Sequence, residues 1–233
     1  LLVSDEGFRG MIIQIGKNFQ EISVQDTVIE VQAGALLSRT ARAAWNAGLT
    51  GFEFAAGIPG TTGGAVAMNA GAYGGEMKQI VESAEVLTSE GEVLNLTNEE
   101  LGMGYRTSVI AKNDYVALSA VLKLEKGDRQ EIRAYMEDLK ERRVTKQPLE
   151  FGSAGSTFKR PEGYFAGKLI QDSGMQGYRV GDAQVSEKHC GFVINRGNAT
   201  AAEVMQLMKD VADRVEEKFG VRLEPEVRRI GEF

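Results

Sequence analysis

The sequence predicts an α+β protein of two domains. Three observations carry that prediction: β-rich runs broken by Gly-bearing turns dominate the first part, glycine concentrates in one segment, and two capped amphipathic stretches follow. A chain of 233 residues, 42% hydrophobic and 26% charged, is long enough to bury an ordinary packed core. No stretch approaches the roughly 20 uninterrupted apolar residues of a spanning helix. The net charge of −6 argues against nucleic acid as a partner, because phosphate backbones demand a clustered cationic surface. Cys190 stands alone and cannot form an internal disulfide, and with the one histidine, His189, it cannot build a closed zinc site. A reducing cytoplasm is the predicted setting, with no metal, no membrane and no obligate protein partner.

In chain order, "MIIQIG" and "TVIEVQAG" within residues 1–32 have the pattern of consecutive strands. Leu37, Ala41, Ala44 and Trp45 recur at helical spacing between Ala35 and Gly48, and Gly48 suits the left-handed position just past a helix end. Strands are predicted at 81–87, 92–96 and 115–124. Asp128 with Glu131 forms a capping-box pattern before the stripe Ile132, Tyr135, Met136 and Leu139, which predicts a helix over 128–144. The domain boundary is placed at its start, giving domains 1–127 and 128–233. Thr200 with Glu203 opens a second capped helix with the stripe Val204, Leu207, Met208, Val211, Val215 and Phe219, read as core.

The strongest local signal is residues 57–75, GIPGTTGGAVAMNAGAYGG, with Gly57, Gly60, Gly63, Gly64, Gly71, Gly74 and Gly75 inside nineteen residues. Glycine permits φ > 0, and successive exposed N–H groups form a nest for phosphate or for the polar edge of a flat ring. The alternative is a long surface loop with ordinary turns. The segment ends in no Gly-Lys-Ser/Thr and lacks the Gly-x-Gly-x-x-Gly spacing, which sets aside the Walker and dinucleotide-fold readings.

This segment resembles the flavin-binding stretch of the UDP-N-acetylenolpyruvoylglucosamine reductase family, whose FAD domain is of the vanillyl-alcohol-oxidase type. "GYRTS" at 104–108, "GSAGSTFKRP" at 152–161, "AGKLIQDSGMQGYRVGDAQVSEKHCGFVIN" at 166–195 and "LEPEVRRIG" at 223–231 are similar to the family's remaining motifs, in the family's order. The resemblance implies an FAD-binding domain followed by a smaller substrate-binding domain. It also implies NADPH as co-substrate and a UDP-sugar enol ether as substrate. Cofactor contacts fall on Gly57, Ile58, Pro59, Gly60, Thr61, Gly63, Gly64, Asn69, Gly71, Ala72 and Tyr73.

Adding hydride to the β-carbon of an enolpyruvyl ether leaves negative charge toward the carboxylate, so the site needs electrophilic groups there. The resemblance gives that stabilisation to Arg106, a hydrogen bond to the enol to Glu226, and protonation of the α-carbon to Ser156. Taken alone, Arg106 reads equally as a salt-bridge partner, Glu226 as a solvated strand residue, and Ser156 as a turn former with Ser153 beside it. Lys159, Lys168, His189 and Asn195 are expected to contact substrate, although the lysines also read as solvated charges and His189 as a structural histidine.

The resemblance further implies that residues precede Leu1, where the family carries a Gly-rich turn for the FAD pyrophosphate. With no long insertion between "GYFAGKLI" and "QDSGMQGYRVG", the chain is similar to the shorter of the family's two subtypes. Two other readings fit parts of the sequence: an oxidase or dehydrogenase of the same fold, and a nucleotide-sugar binding module that has lost its cofactor.

Overall fold

The structure, a computed structural model, describes residues 1–233. The chain forms two compact units, Ile13–Arg143 and a second made of Leu1–Ile12 with Val144–Phe233.

In the first unit, strands β1 (Ile22–Gln25), β2 (Val28–Gln32), β3 (Val81–Leu87), β4 (Val93–Thr97) and β5 (Val116–Lys123) form one antiparallel sheet. The sheet order is β1-β2-β5-β3-β4. Alternation decides its faces: Ile29 and Val31 on β2, Ala84 and Val86 on β3, and Ala120 and Leu122 on β5 are buried, while Glu30, Glu82 and Glu85 face outward. Helix α1 (Leu37–Asn46) contributes Leu37, Ala41 and Ala44 to the core, and Gly48 beyond it has φ +67°, as its position requires. Trp45 is half-buried; its indole N–H donates to the Arg129 carbonyl at 2.9 Å.

The run "MIIQIG" is not a strand. Met11, Ile12 and Ile13 are 84%, 71% and 80% exposed, and the segment is where the chain passes from one unit to the other. A strand needs a hydrogen-bonded neighbour, so apolar β-formers without a paired edge stay extended and irregular.

Helix α3 (Arg129–Lys146) begins where the Asp128 carboxylate accepts the N–H groups of Gln130 and Glu131, and it buries Ile132 and Leu139. Tyr135 of its predicted stripe stays exposed. Contacts assign most of this helix to the first unit and Leu1–Ile12 to the second.

The second unit holds a four-stranded antiparallel sheet of β6 (Gly152–Ser156), β7 (Arg179–Val180), β8 (Ala183–Val185) and β9 (Phe192–Asn195), in the order β6-β9-β8-β7. Helices α4 (Ala166–Asp172) and α5 (Ala201–Phe219) complete its core, with Ile170, Leu207, Val211 and Val215 almost wholly buried. The predicted capping box is present: Thr200 accepts from the Glu203 N–H, and Glu203 accepts from the Thr200 N–H. The Asp5 carboxylate also takes the Ala201 and Ala202 N–H groups at 2.7 and 3.0 Å, and Leu2–Val3 pairs in parallel with Arg229–Ile230.

Candidate active site

In the Ile13–Arg143 unit the glycine-rich segment sorts into glycines that packing requires and glycines that leave space. A Cβ on Gly63 would lie 2.6 Å from the Ala33 Cβ, one on Gly71 would lie 2.7 Å from the Gly75 carbonyl oxygen, and one on Gly75 would strike the Phe54 ring at 2.5 Å. These three let backbone and core meet. Gly60 and Gly74, with φ +148° and +90°, have nothing within 4 Å of a built Cβ, and Gly64 meets only the Thr61 hydroxyl at 3.8 Å.

The segment therefore presents bare, exposed backbone at Gly60, Gly64 and Gly74, in and around the short helix α2 (Thr62–Ala67), while Gly57 is exposed with the Arg143 side chain 3.6 Å from where its Cβ would lie. That surface fits close approach of a flat ring or diphosphate such as FAD carries. Ile58 is half-buried against the core, and Pro59 is exposed. Gly71–Ala72 and Gly75–Glu76 pair as a hairpin turning on Tyr73 (φ +54°) and Gly74, the left-handed pair of a type I′ turn, and Tyr73 stands exposed at its tip.

The structure brings Arg106 to this segment. Arg106 itself has φ +54°, its guanidinium Nη2 donates to the Gly71 carbonyl at 3.4 Å, and Gly104 and Thr107 pair across it. Asn69 is 1% exposed, and its side chain turns inward to Glu76, Gly104 and Lys78.

In the second unit the backbone stretches that carry Ser156 and Glu226 are joined through Thr157. Thr157 is buried; its N–H donates to the Gly191 carbonyl at 2.8 Å, its carbonyl accepts the Glu226 N–H at 2.9 Å, and its hydroxyl oxygen accepts the Val193 N–H at 2.9 Å. Phe158 bridges Pro225 alongside. The β6–β9 register shifts between Ser153 and Ser156 around Gly155, whose φ is +86°. The Ser153 hydroxyl oxygen accepts the Gly155 N–H within this bulge, whereas Ser156 lies exposed at its end. Glu226 is half-buried.

The expected substrate contacts have partners of their own in the second unit. Lys159 pairs with Glu224, and Lys168 pairs with Asp172 at 2.6 Å, one turn along α4. The Asn195 carbonyl oxygen Oδ1 accepts the N–H groups of Gly197 and Ala199 in the turn before α5. His189 Nδ1 accepts the Gly191 N–H at 3.0 Å, which leaves Nε2 to carry the proton of the neutral ring.

A Cβ on Gly167 or Gly191 would press on that ring at about 3 Å, and Phe192 packs edge-on at 5.0 Å. Part of the residue still meets solvent, but enclosure of the ring lowers its pKa below the ordinary histidine value, and the Lys146 ammonium lowers it further. Lys146, at the end of α3, is a cation near this segment that sequence reasoning missed; it carries no motif, and the fold alone brings it there. Burial raises the Cys190 thiol pKa, consistent with a small packed residue.

A glycine-bare cradle beside a half-buried arginine, on an antiparallel sheet, defines a flavoprotein-type α+β chain. In agreement, residues 1–97 match the FAD binding domain model. Residues 147–230 match the model of the UDP-N-acetylenolpyruvoylglucosamine reductase C-terminal domain.

The chain is 55% identical to the UDP-N-acetylenolpyruvoylglucosamine reductase of Agathobacter rectalis, over all of this chain and 78% of that protein. It is 57% identical to that of Alkaliphilus oremlandii, over all of this chain and 76% of that protein. The crystal structure of UDP-N-acetylenolpyruvylglucosamine reductase from Thermus caldophilus superposes with a TM-score of 0.84 at 38% identity, over 98% of this chain and 81% of that one. This chain belongs to the UDP-N-acetylenolpyruvoylglucosamine reductase family.

Proposed function

We propose that this chain reduces the enolpyruvyl ether of UDP-N-acetylglucosamine to UDP-N-acetylmuramate, with FAD as cofactor and NADPH as reductant, in peptidoglycan synthesis in the cytoplasm. FAD, when bound, supplies the chemistry of accepting hydride from NADPH and passing it to the substrate β-carbon. The chain's own groups then handle charge and one proton. The Arg106 guanidinium pairs the substrate carboxylate and holds the negative charge that grows there. Glu226 donates a hydrogen bond to the enol oxygen, and the Ser156 Oγ–H gives its proton to the α-carbon, so that hydride and proton together saturate the double bond.

Residues 1–127 provide the flavin site and 128–233 the substrate site, with His189 contributing an Nε2–H donor and with Lys159, Lys168 and Asn195 at its margin. The ligand is a small UDP-sugar, and no protein partner is needed. One observation carries this reading: the Thr157 carbonyl that takes the Glu226 N–H lies one residue from Ser156, so the backbones that carry the hydroxyl and the carboxyl run side by side within residues 147–230.

Stopped-flow measurement of the two half-reactions in Ser156→Ala tests it. Reduction of the flavin by NADPH should stay within about twofold of wild type, while reoxidation and turnover by the enolpyruvyl UDP-sugar fall roughly 10²- to 10⁴-fold. Equal slowing of both halves would remove Ser156 from the role of proton donor.

A further inference from the structure

Asn69 follows α2 with φ +45° and is almost wholly buried, yet every polar group of its side chain is engaged. Nδ2 donates to Glu76 Oε2 at 3.1 Å and to the Gly104 carbonyl at 3.0 Å, and Oδ1 accepts the Lys78 N–H at 2.8 Å. Two acceptors on one side and a donor on the other fix which end of the carboxamide is nitrogen.

The Gly104 carbonyl that Asn69 holds lies two residues before Arg106, whose left-handed backbone is unfavourable for any residue with a Cβ. Such a conformation persists only where the surroundings over-determine it. Here they do. Gly104 and Thr107 exchange backbone bonds at 3.0 and 3.3 Å, the Ser108 hydroxyl donates to the Ala67 carbonyl at 2.6 Å, and the guanidinium reaches the Gly71 carbonyl. Residues 104–108 are thus laced onto residues 67–71, and Asn69 supplies the side-chain link on the N-terminal side of the turn.

We propose that Asn69 is the positioning residue for Arg106: its buried carboxamide fixes the strained turn that aims the guanidinium, and so sets the preference for a carboxylate-bearing ligand. This rests on the reading of Arg106 as the cation that pairs the substrate carboxylate.

The test uses the FAD-loaded full chain and two UDP-sugars, UDP-N-acetylmuramate with its lactyl carboxylate and UDP-N-acetylglucosamine without one. Asn69→Gly keeps the left-handed conformation and deletes the side chain. Asn69→Asp keeps size and turn preference and deletes the donors, which gives a second variant should the first not fold.

Calorimetry should show either variant binding the carboxylate-bearing sugar roughly 10- to 100-fold more weakly, with affinity for UDP-N-acetylglucosamine within about twofold of wild type. In an Arg106→Ala background the Asn69 substitution should add nothing. Equal losses for both ligands, or an undiminished loss without Arg106, overturns the positioning role and leaves the reading of Arg106 standing. If Arg106→Ala alone leaves the preference between the two sugars unchanged, the reading of Arg106 falls and the positioning role falls with it.

Discussion

Asn69 and Thr157 are both buried polar residues that tie a candidate site segment to a neighbouring stretch, but they do so with different atoms. The three bonds by which Asn69 reaches Glu76, Lys78 and Gly104 come from its side chain, whereas two of the three at Thr157 come from its backbone. The Ile13–Arg143 unit therefore positions Arg106 by side-chain chemistry and close backbone packing, on a turn that sheet pairing does not reach. The Val144–Phe233 segment positions Ser156 and Glu226 by strand register, which tolerates changes of side chain as long as the ladder survives.

Gly63→Ala should break the first arrangement most severely. Its new methyl lies 2.6 Å from the Ala33 Cβ and has no flexible neighbour to displace, so a loss of about 3 kcal/mol in urea unfolding is expected, with weakened flavin retention. Adding Ala33→Gly should restore most of the loss; if it does not, close packing is the wrong cause.

Thr157→Val is the gentler counterpart in the second unit. It strands the buried Val193 N–H at a cost of about 1–2 kcal/mol, but both backbone bonds remain. Ligand preference should not change, and a carboxylate-specific loss like that expected at Asn69 would erase the contrast.

The smallest effect is a pH dependence confined to the second unit, which holds the chain's one histidine, His189. Because its folded pKa is depressed, the unfolded chain binds the proton more tightly. Its contribution to stability is complete above the unfolded value near 6.5 and is lost as pH falls through that value toward the folded one. Urea midpoints compared at about pH 7.5 and 5.5 should fall more for wild type than for His189→Gln. An equal fall would assign the dependence to other groups.

The periodic parts of the fold were legible in the sequence because their signals are local. The alternation of 81–87 and the capping box of Thr200 and Glu203 each need only a few neighbours, and both elements stand where expected. The flavin segment was legible because glycines whose Cβ would collide, as at Gly63, Gly71 and Gly75, or whose φ is positive, as at Gly60 and Gly74, are not replaced by ordinary residues without strain. Residues 11–16 were misread because composition cannot reveal that no strand pairs there. The inward turn of Asn69, the approach of Lys146 to His189 and the division of Ser153 from Ser156 at the Gly155 bulge depend on contacts between distant segments. Single residues carry no trace of these.

The Asp5 carboxylate caps a helix that begins at Ala201, and Leu2–Val3 pairs with Arg229–Ile230, so the second unit is built from two stretches that lie far apart in the sequence. During synthesis residues 13–143 can collapse as soon as they leave the ribosome, because every contact their sheet needs is already present. Residues 2–5 find their partners only after some two hundred more have been made. Non-local closure of this kind is slow, as the 196-residue separation of Asp5 and Ala201 illustrates.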